Sequence, residues 1–467
     1  MRKRITSVAV AATAALFVSC ASVPRDAGMS DVQQAVATRT NQTVDLSAQA
    51  DEARVRAMLA DELTADEAVA IAVANNPRLQ VTLAELGIAR ANLIEASTIT
   101  NPVFELEWRV PGEPYHPFEL RLAQSLIELI QLPRRRAIGR AAFDAAQMRV
   151  SSNVLRFAAG VRSSYFDLIA ATQHVAQSRT IVEAARTAAE VAVKQHRAEN
   201  ITDLDLENEQ ALYEQAKLDL ARAERQLLVA REALMRAMGL RDTSVEWRVP
   251  ETFPELPANE RDQQQLEQLA AQQRLDLAIA RREVEIAEKR VPMARLAALG
   301  EVDVDVHFER EPGGEHTIGP GIELPIPIFN TGRAARTRAE SEYLRARHTL
   351  AALEAEASSQ LRAARATLDE SRARVEYYRD VLLPRRRRIV ELTKLEHNAM
   401  LVGIFQLLQA RQNEAAAQSD SIEAQREYWS ARTDLDRALQ GIAADTSFSP
   451  ATDQGTGKQA NVSRGGH

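Results

Sequence analysis

Charged side chains on alternating positions carry the most visible chemistry in this sequence. Glu105, Glu107 and Arg109 interleave with Phe104, Leu106, Trp108 and Val110. Glu119 and Arg121 interleave with Phe118, Leu120 and Leu122. Asp303, Asp305, His307 and Glu309 interleave with Val302, Val304, Val306 and Phe308. A fourth set, Ile322, Leu324, Ile326 and Ile328, has Glu323 on the opposite side. A period of two sorts apolar and charged residues onto opposite faces of a strand. A surface made of Glu105, Glu107, Arg121, Asp303, Asp305 and Glu309 carries excess negative charge and mildly favours cations, although any solvated sheet face can show the same pattern.

Other reactive side chains are sparse. The eight His residues are scattered, and His174, His196 and His397 have no His partner four residues away, so neither they nor the few Met form a metal site. The run Arg385-Arg386-Arg387-Arg388 has no interleaved aromatics and reads as a solvated helix face or an ion-pairing one, not a nucleic-acid site. There is no phosphate-binding glycine loop, nucleophile motif or defensible carboxylate pair, so the sequence reads as a non-enzyme without a cofactor. Asp203 and Asp205 follow a helix break and suit the start of a helix.

The composition says what must position these groups. Among 467 residues, aromatics are 4%, and the 18 Gly and 17 Pro are clustered. A chain this rich in Ala favours long packed helices. The formal net charge of −7 gives no general attraction to nucleic acid. A single Cys excludes an intrachain disulfide.

Residues 1–19 have the form of a secretory signal peptide: Met1-Arg2-Lys3-Arg4, then an apolar stretch from Ile5 to Val18. Cys20 follows directly, which resembles a lipoprotein signal that leaves a lipidated Cys20, an ordinary signal with an incidental Cys being the alternative. Ala21 is not the Asp that retains lipoproteins in the inner membrane. Residues 20–60 read as an extended N-terminal lead and residues 444–467 as a disordered tail.

The remainder is written twice. Arg78-Leu79 matches Arg274-Leu275, Arg136-Ala137 matches Arg333-Ala334, Thr202 falls on Gly403, and Gly239 on Gly441, at offsets rising slowly from 196 to 202. Repeat 1 (61–249) holds a helix, a hairpin over 103–126 and long helices over 134–240. Repeat 2 (262–443) holds a helix, a hairpin over 302–328 and long helices over 333–441. A Pro-rich link, 250–261, joins them. The stripe Leu350, Leu353, Ala357, Leu361, Ala364, Leu368, Val375, Tyr378 and Leu382 steps by three and four and predicts coiled-coil packing, with Pro384 as a kink.

Strands of roughly ten residues can cross a bilayer when tilted. Four cannot close a barrel, and open edges are forbidden in lipid, so a membrane reading requires several copies. Two copies supply eight strands and three supply twelve. A periplasmic coiled-coil tether accounts for the helices but not for the two matched hairpins.

Two segments narrow the choice. Leu63-Thr64-Ala65-Asp66-Glu67-Ala68 with Asn75-Asn76-Pro77, and Gly321-Ile322-Glu323-Leu324-Pro325-Ile326-Pro327-Ile328-Phe329-Asn330-Thr331-Gly332-Arg333, resemble the TolC family of outer-membrane channels. The helices ending at Gly239 and Gly441 are similar to its repeat-closing helices. The resemblance covers about residues 60–443 and is strongest to the CzcC-like branch that serves heavy-metal RND pumps. It implies a mainly α fold with a small β membrane part: a homotrimer with a 12-stranded β-barrel, four strands per chain, continued by a periplasmic α-helical barrel. It implies a passive outer-membrane exit duct for metal cations, with drug efflux and type I secretion as alternatives. The implied partners are a periplasmic adaptor and an inner-membrane RND pump. The tips would lie at Asn200-Ile201-Thr202 and Leu401-Val402-Gly403, with Asn200, Asp203, Asp205, Gly403, Gln406 and Gln409 at the tip and gate. Glu105, Glu107, Arg121, Asp303, Asp305 and Glu309 would face the lumen.

Overall fold

The computed structural model describes residues 26–40, 46, 52–108, 118–241, 246–296, 300, 302–310 and 315–442. The signal segment, Cys20, the tail, both hairpin turns and Arg109 lie outside them. Two short helices, α1 (Met29–Thr40) and α2 (Glu52–Ala60), precede a series that occurs twice. The first series is α3 (Ala65–Asn75), α4 (Pro77–Ser97), β1 (Val103–Trp108), β2 (Phe118–Ser125), α5 (Leu126–Arg197) and α6 (Asp203–Met238). The second is α7 (Gln263–Gln273), α8 (Leu275–Leu296), β3 (Asp303–Arg310), β4 (His316–Glu323), α9 (Arg333–Tyr377), α10 (Leu383–Asn398) and α11 (Ile404–Gln440).

Helix α5 has 72 residues, about 108 Å at 1.5 Å per residue. It starts eight residues before the expected Arg134 and runs through Pro133. No isolated helix of this kind is stable on propensity alone, and α5 is held by α3, α4, α6, α8 and α11 along its length. Gly139 allows α4 to come close: a Cβ there would sit 2.7 Å from the Ala96 Cβ. The stripe on α9 is buried at Ala357, Leu361, Leu368, Ser371 and Val375, with Leu361, Leu368 and Val375 at heptad spacing. It packs against α11, whose Ala424 and Ala431 keep the same spacing and lie in the same buried cluster. Before Pro384 the chain makes a π-helical turn, Tyr378–Leu382, in which the Leu383 N–H donates to the Tyr378 carbonyl. The widened turn accommodates a residue without an N–H, which is the form the expected kink takes.

The lead is not extended throughout. Val32 and Val36, four residues apart, are buried when α1 packs on α5, and the Gln147 amide donates to Asp31 at 2.9 Å. Val55 and Leu59 on α2 are buried in the same hydrophobic core as Val32 and Val36. A two-residue apolar step was too short a signal to read as periodic. The Pro-rich link is likewise built in: Phe253 is buried and stacks on Phe166, and Glu260 accepts from the Tyr428 hydroxyl at 2.6 Å and Arg432 at 2.8 Å.

The two hairpins make one antiparallel sheet in the order β1-β2-β3-β4. The fourth strand departs from expectation. It pairs over His316–Glu323, not 322–328, and Leu324 to Ile328 leave the ladder. Pro325 and Pro327 cannot donate to a ladder, whereas Pro320 is tolerated because β4 is an edge strand.

Candidate functional site

The register sorts the strand residues into two faces. Phe104, Leu122, Val306 and Pro320 form one row, and Leu106, Leu120, Phe308 and Ile318 the next. Nothing among the described residues covers this face: Phe104 is 64% exposed and Ile318 72%. The opposite face carries the charge. Glu105, Arg121, His307 and Gly319 form one row, and Glu107, Glu119, Glu309 and Thr317 the row beside it. Asp303 pairs with Glu323, and Asp305 with Gly321.

Arg121 is the hub of that face. Its guanidinium reaches Glu323 at 2.7 Å, Asp305 at 3.4 Å and Glu105 at 3.6 Å, tying β2 to the other three strands. Small residues on β4 make the room. A Cβ on Gly321 would sit 2.5 Å from the Asp305 carboxylate, and one on Gly319 would sit 3.2 Å from the His307 ring. All six lumen candidates therefore share one face, but three of them belong to an internal ion-pair cluster with Arg121 or are that Arg. Glu107 and Glu309 flank Glu119 in a single carboxylate row.

The hairpin tips lie at the far ends of the long helices. After α5 the chain reverses at Glu199, which takes a positive φ of 57°, and the Asn200 N–H returns to the Gln195 carbonyl at 2.9 Å. After α10 the reversal is at Met400, φ 58°, and the Leu401 N–H returns to Glu396 at 2.9 Å. The left-handed residue is thus Met400. Gly403, expected at the tip, has an ordinary φ of −77° and sits at the N-terminus of α11.

The two tips are capped differently. Thr202 and Asp205 form a capping box: the Asp205 N–H donates to Thr202 Oγ1 at 3.2 Å, and the Thr202 N–H donates to Asp205 Oδ2 at 3.0 Å. Asp205 is therefore occupied at its own helix start. Asp203 is exposed and paired with His196 at 2.6 Å. Gly403 leaves α11 without a side-chain cap. Asn200 and Gln406 are exposed, and Gln409 donates to Asn413 at 3.3 Å. Among the described residues no group of three His, Cys, Asp or Glu could hold a metal ion.

Midway along the long helices, each series closes on itself through a buried polar residue. In the first, Asn76 donates to the carbonyls of Arg236 at 3.1 Å and Ala237 at 2.7 Å, at the end of α6. In the second, Arg274 donates to the Ala438 carbonyl at 3.1 Å, at the end of α11, to Ala357 at 3.3 Å, and through two nitrogens to Asp276. By this contact Arg274 does the work of Asn76, whereas Arg78, its match by sequence, is exposed. Gly239 and Gly441 end these helices at φ 72° and 68°. A Cβ would sit 2.8 Å from the Asn75 carbonyl at the first and 2.1 Å from Asp276 at the second.

Sequence reasoning missed Asn76, Arg274 and one more group, Glu209 on α6. It is buried, and its Oε1 has no hydrogen-bond partner. Its spacing of seven from Ala216 and Ala223 was the available signal.

The fold is similar to that of solved outer-membrane channels. Residues 266–441, nearly the whole second repeat, match the family model described as outer membrane efflux protein. The fold resembles the Campylobacter jejuni CmeC outer membrane channel, with a TM-score of 0.70 at 15% identity, over 86% of this chain and 89% of that one. It resembles a membrane protein from Pseudomonas aeruginosa, with a TM-score of 0.68 at 20% identity, over 85% and 95%. It also resembles the open state of the Neisseria gonorrhoeae MtrE outer membrane channel, with a TM-score of 0.64 at 19% identity, over 82% and 90%. No curated protein matches the chain by sequence. The chain thus has a TolC-like fold, mostly helical with a small four-stranded sheet, and its second half carries the sequence pattern of the efflux-protein family.

Proposed function

We propose that this chain is the outer-membrane exit duct of a tripartite efflux system. The observation that carries this reading is the sheet, which among the described residues has one uncovered apolar face, one charged face and two edges with no neighbouring strand, on helices of up to about 108 Å. In a trimer, three sheets close edge to edge into a 12-stranded barrel, turning Phe104 and Ile318 to lipid and the Arg121 face to water. The lipid on Cys20 is an accessory anchor. The long helices continue the passage through the periplasm, and the tips around Asn200, Asp203, Gly403, Gln406 and Gln409 meet the adaptor of an RND pump. The chain performs no bond chemistry; the pump supplies the energy.

The cargo in this reading is metal cations, as in the CzcC-like branch. The charged face carries more Asp and Glu than Arg and His, and three copies multiply that excess, which favours cations at low salt and less so at high salt. Two measurements test it. The detergent-extracted protein should have three times the mature chain mass and lose that assembly when residues 302–328 are deleted. In planar bilayers it should be cation-selective, and the triple change Glu107→Gln, Glu119→Gln, Glu309→Gln should lower the cation-to-anion permeability ratio. A soluble monomer without conductance refutes the duct. An unchanged ratio refutes the role of the row.

A further inference from the structure

Near the tips, a cleft of about 850 Å³ lies between α5, α6 and α11 within a single chain. Its walls are mixed, with Ile181, Val191, Leu212, Ile404 and Leu408 forming the apolar part. Glu209 also lines it, and this residue is out of place for its helix. Glu209, Ala216 and Ala223 are buried at heptad spacing, so a carboxyl occupies a seam position that the next two turns fill with a methyl group. It is only 5% exposed, and its Oε1 has no partner.

A buried carboxylate is costly unless a cation or donors meet it. Here none does. Burial first, and the negative charge of Asp205 one turn away second, hold the Glu209 carboxyl above the usual carboxylate range. Asp205, Asp219, His397, Arg411 and Glu414 also line the cleft, but none of them hydrogen-bonds to Glu209. Asp205 is engaged by Thr202. The site therefore has a partly apolar body of the volume that drug-sized ligands occupy, with Glu209 buried and unpaired at its wall and Arg411 and Glu414 also on its lining.

We propose that this cleft binds a lipophilic organic cation, with Glu209 as its counter-ion and the Ile, Val and Leu walls around its body. The cleft is formed by one chain, so the proposal does not depend on the duct reading.

The test uses the full chain in detergent and two probes of the same shape and opposite charge, tetraphenylphosphonium and tetraphenylborate, in equilibrium dialysis. Saturable binding of the phosphonium at about one per chain, with at least tenfold weaker borate binding, is expected. Glu209→Gln should weaken phosphonium binding at least tenfold. Ala188→Trp, which projects an indole into the cleft and leaves Glu209 in place, should weaken it at least tenfold. Should Glu209→Gln fail to fold, the probe pair and Ala188→Trp decide the matter alone. Equal binding of both probes, phosphonium binding undiminished in either folded variant, or no saturable binding to the unaltered chain overturns the proposal.

Discussion

Arg274 offers the sharpest quantitative test of how the second repeat is held together. Its side chain is 3% exposed and makes five hydrogen bonds: two to Asp276, and one each to Ala357, Ala438 and Gln360. Replacement by Ala leaves the Asp276 carboxylate without its cation and removes the second donor from the Ala357 and Ala438 carbonyls, which keep their backbone partners. Truncating one member of a buried pair costs about 3–5 kcal/mol. The Asp276 side chain is 22% exposed and regains some water, which favours the lower end of that range. Each kcal/mol moves the midpoint of a large chain by about 2 °C, so Arg274→Ala should melt about 6 °C lower in thermal unfolding followed by circular dichroism. Arg274→Lys keeps the charge but loses the fork and should fall between. The control is Arg78→Ala, the position that matches Arg274 by sequence but is exposed. If Arg274→Ala and Arg78→Ala melt within about 1 °C of each other, corresponding to less than 1 kcal/mol, Arg274 is not the clasp of the second repeat.

Two further outcomes follow from local geometry. Gly239→Ala and Gly441→Ala should each cost more than about 2 kcal/mol, because a Cβ is opposed both by the positive φ and by atoms closer than 3 Å, whereas Gly403→Ala, at φ −77°, should be nearly silent; equal melting of all three would refute this. His174 on α5 has a pKa lowered chiefly by burial, with Arg426 opposing protonation and nearby Glu423 favouring it. Because the folded value is depressed, its contribution is present above the ordinary value of about 6.5 and is lost as pH falls through the folded value. The unaltered chain should therefore lose stability relative to His174→Gln below about pH 6.5, and parallel melting curves across that range would contradict it.

Much of this architecture is legible in the sequence because it is periodic. The stripe through Leu361, Leu368 and Val375 repeats over several turns, and the charge alternation from Phe104 to Trp108 repeats over several pairs, so each signal accumulates. Where a signal is short or competes with another, legibility ends. Val32 and Val36 form a single helical step, and nothing in that segment marks it as buried until α5 is beside it. The apolar run Ile322 to Ile328 alternates as a strand would, yet Pro325 and Pro327 remove the donors, and pairing shifts back to His316–Glu323.

The sequence by itself determines the repeat, the long helices, the hairpins and the sorting of charge to one strand face, because each follows from residue spacing along one element. The tertiary structure decides what depends on two elements meeting. It sets Arg274 opposite Ala438 where the first repeat uses Asn76 against Arg236. It also leaves Glu209 buried and unpaired beside a partly apolar cleft. Hydrogen bonding and burial at these points depend on neighbours more than a hundred residues away, or on the exact register of two packed helices, and no local pattern encodes either.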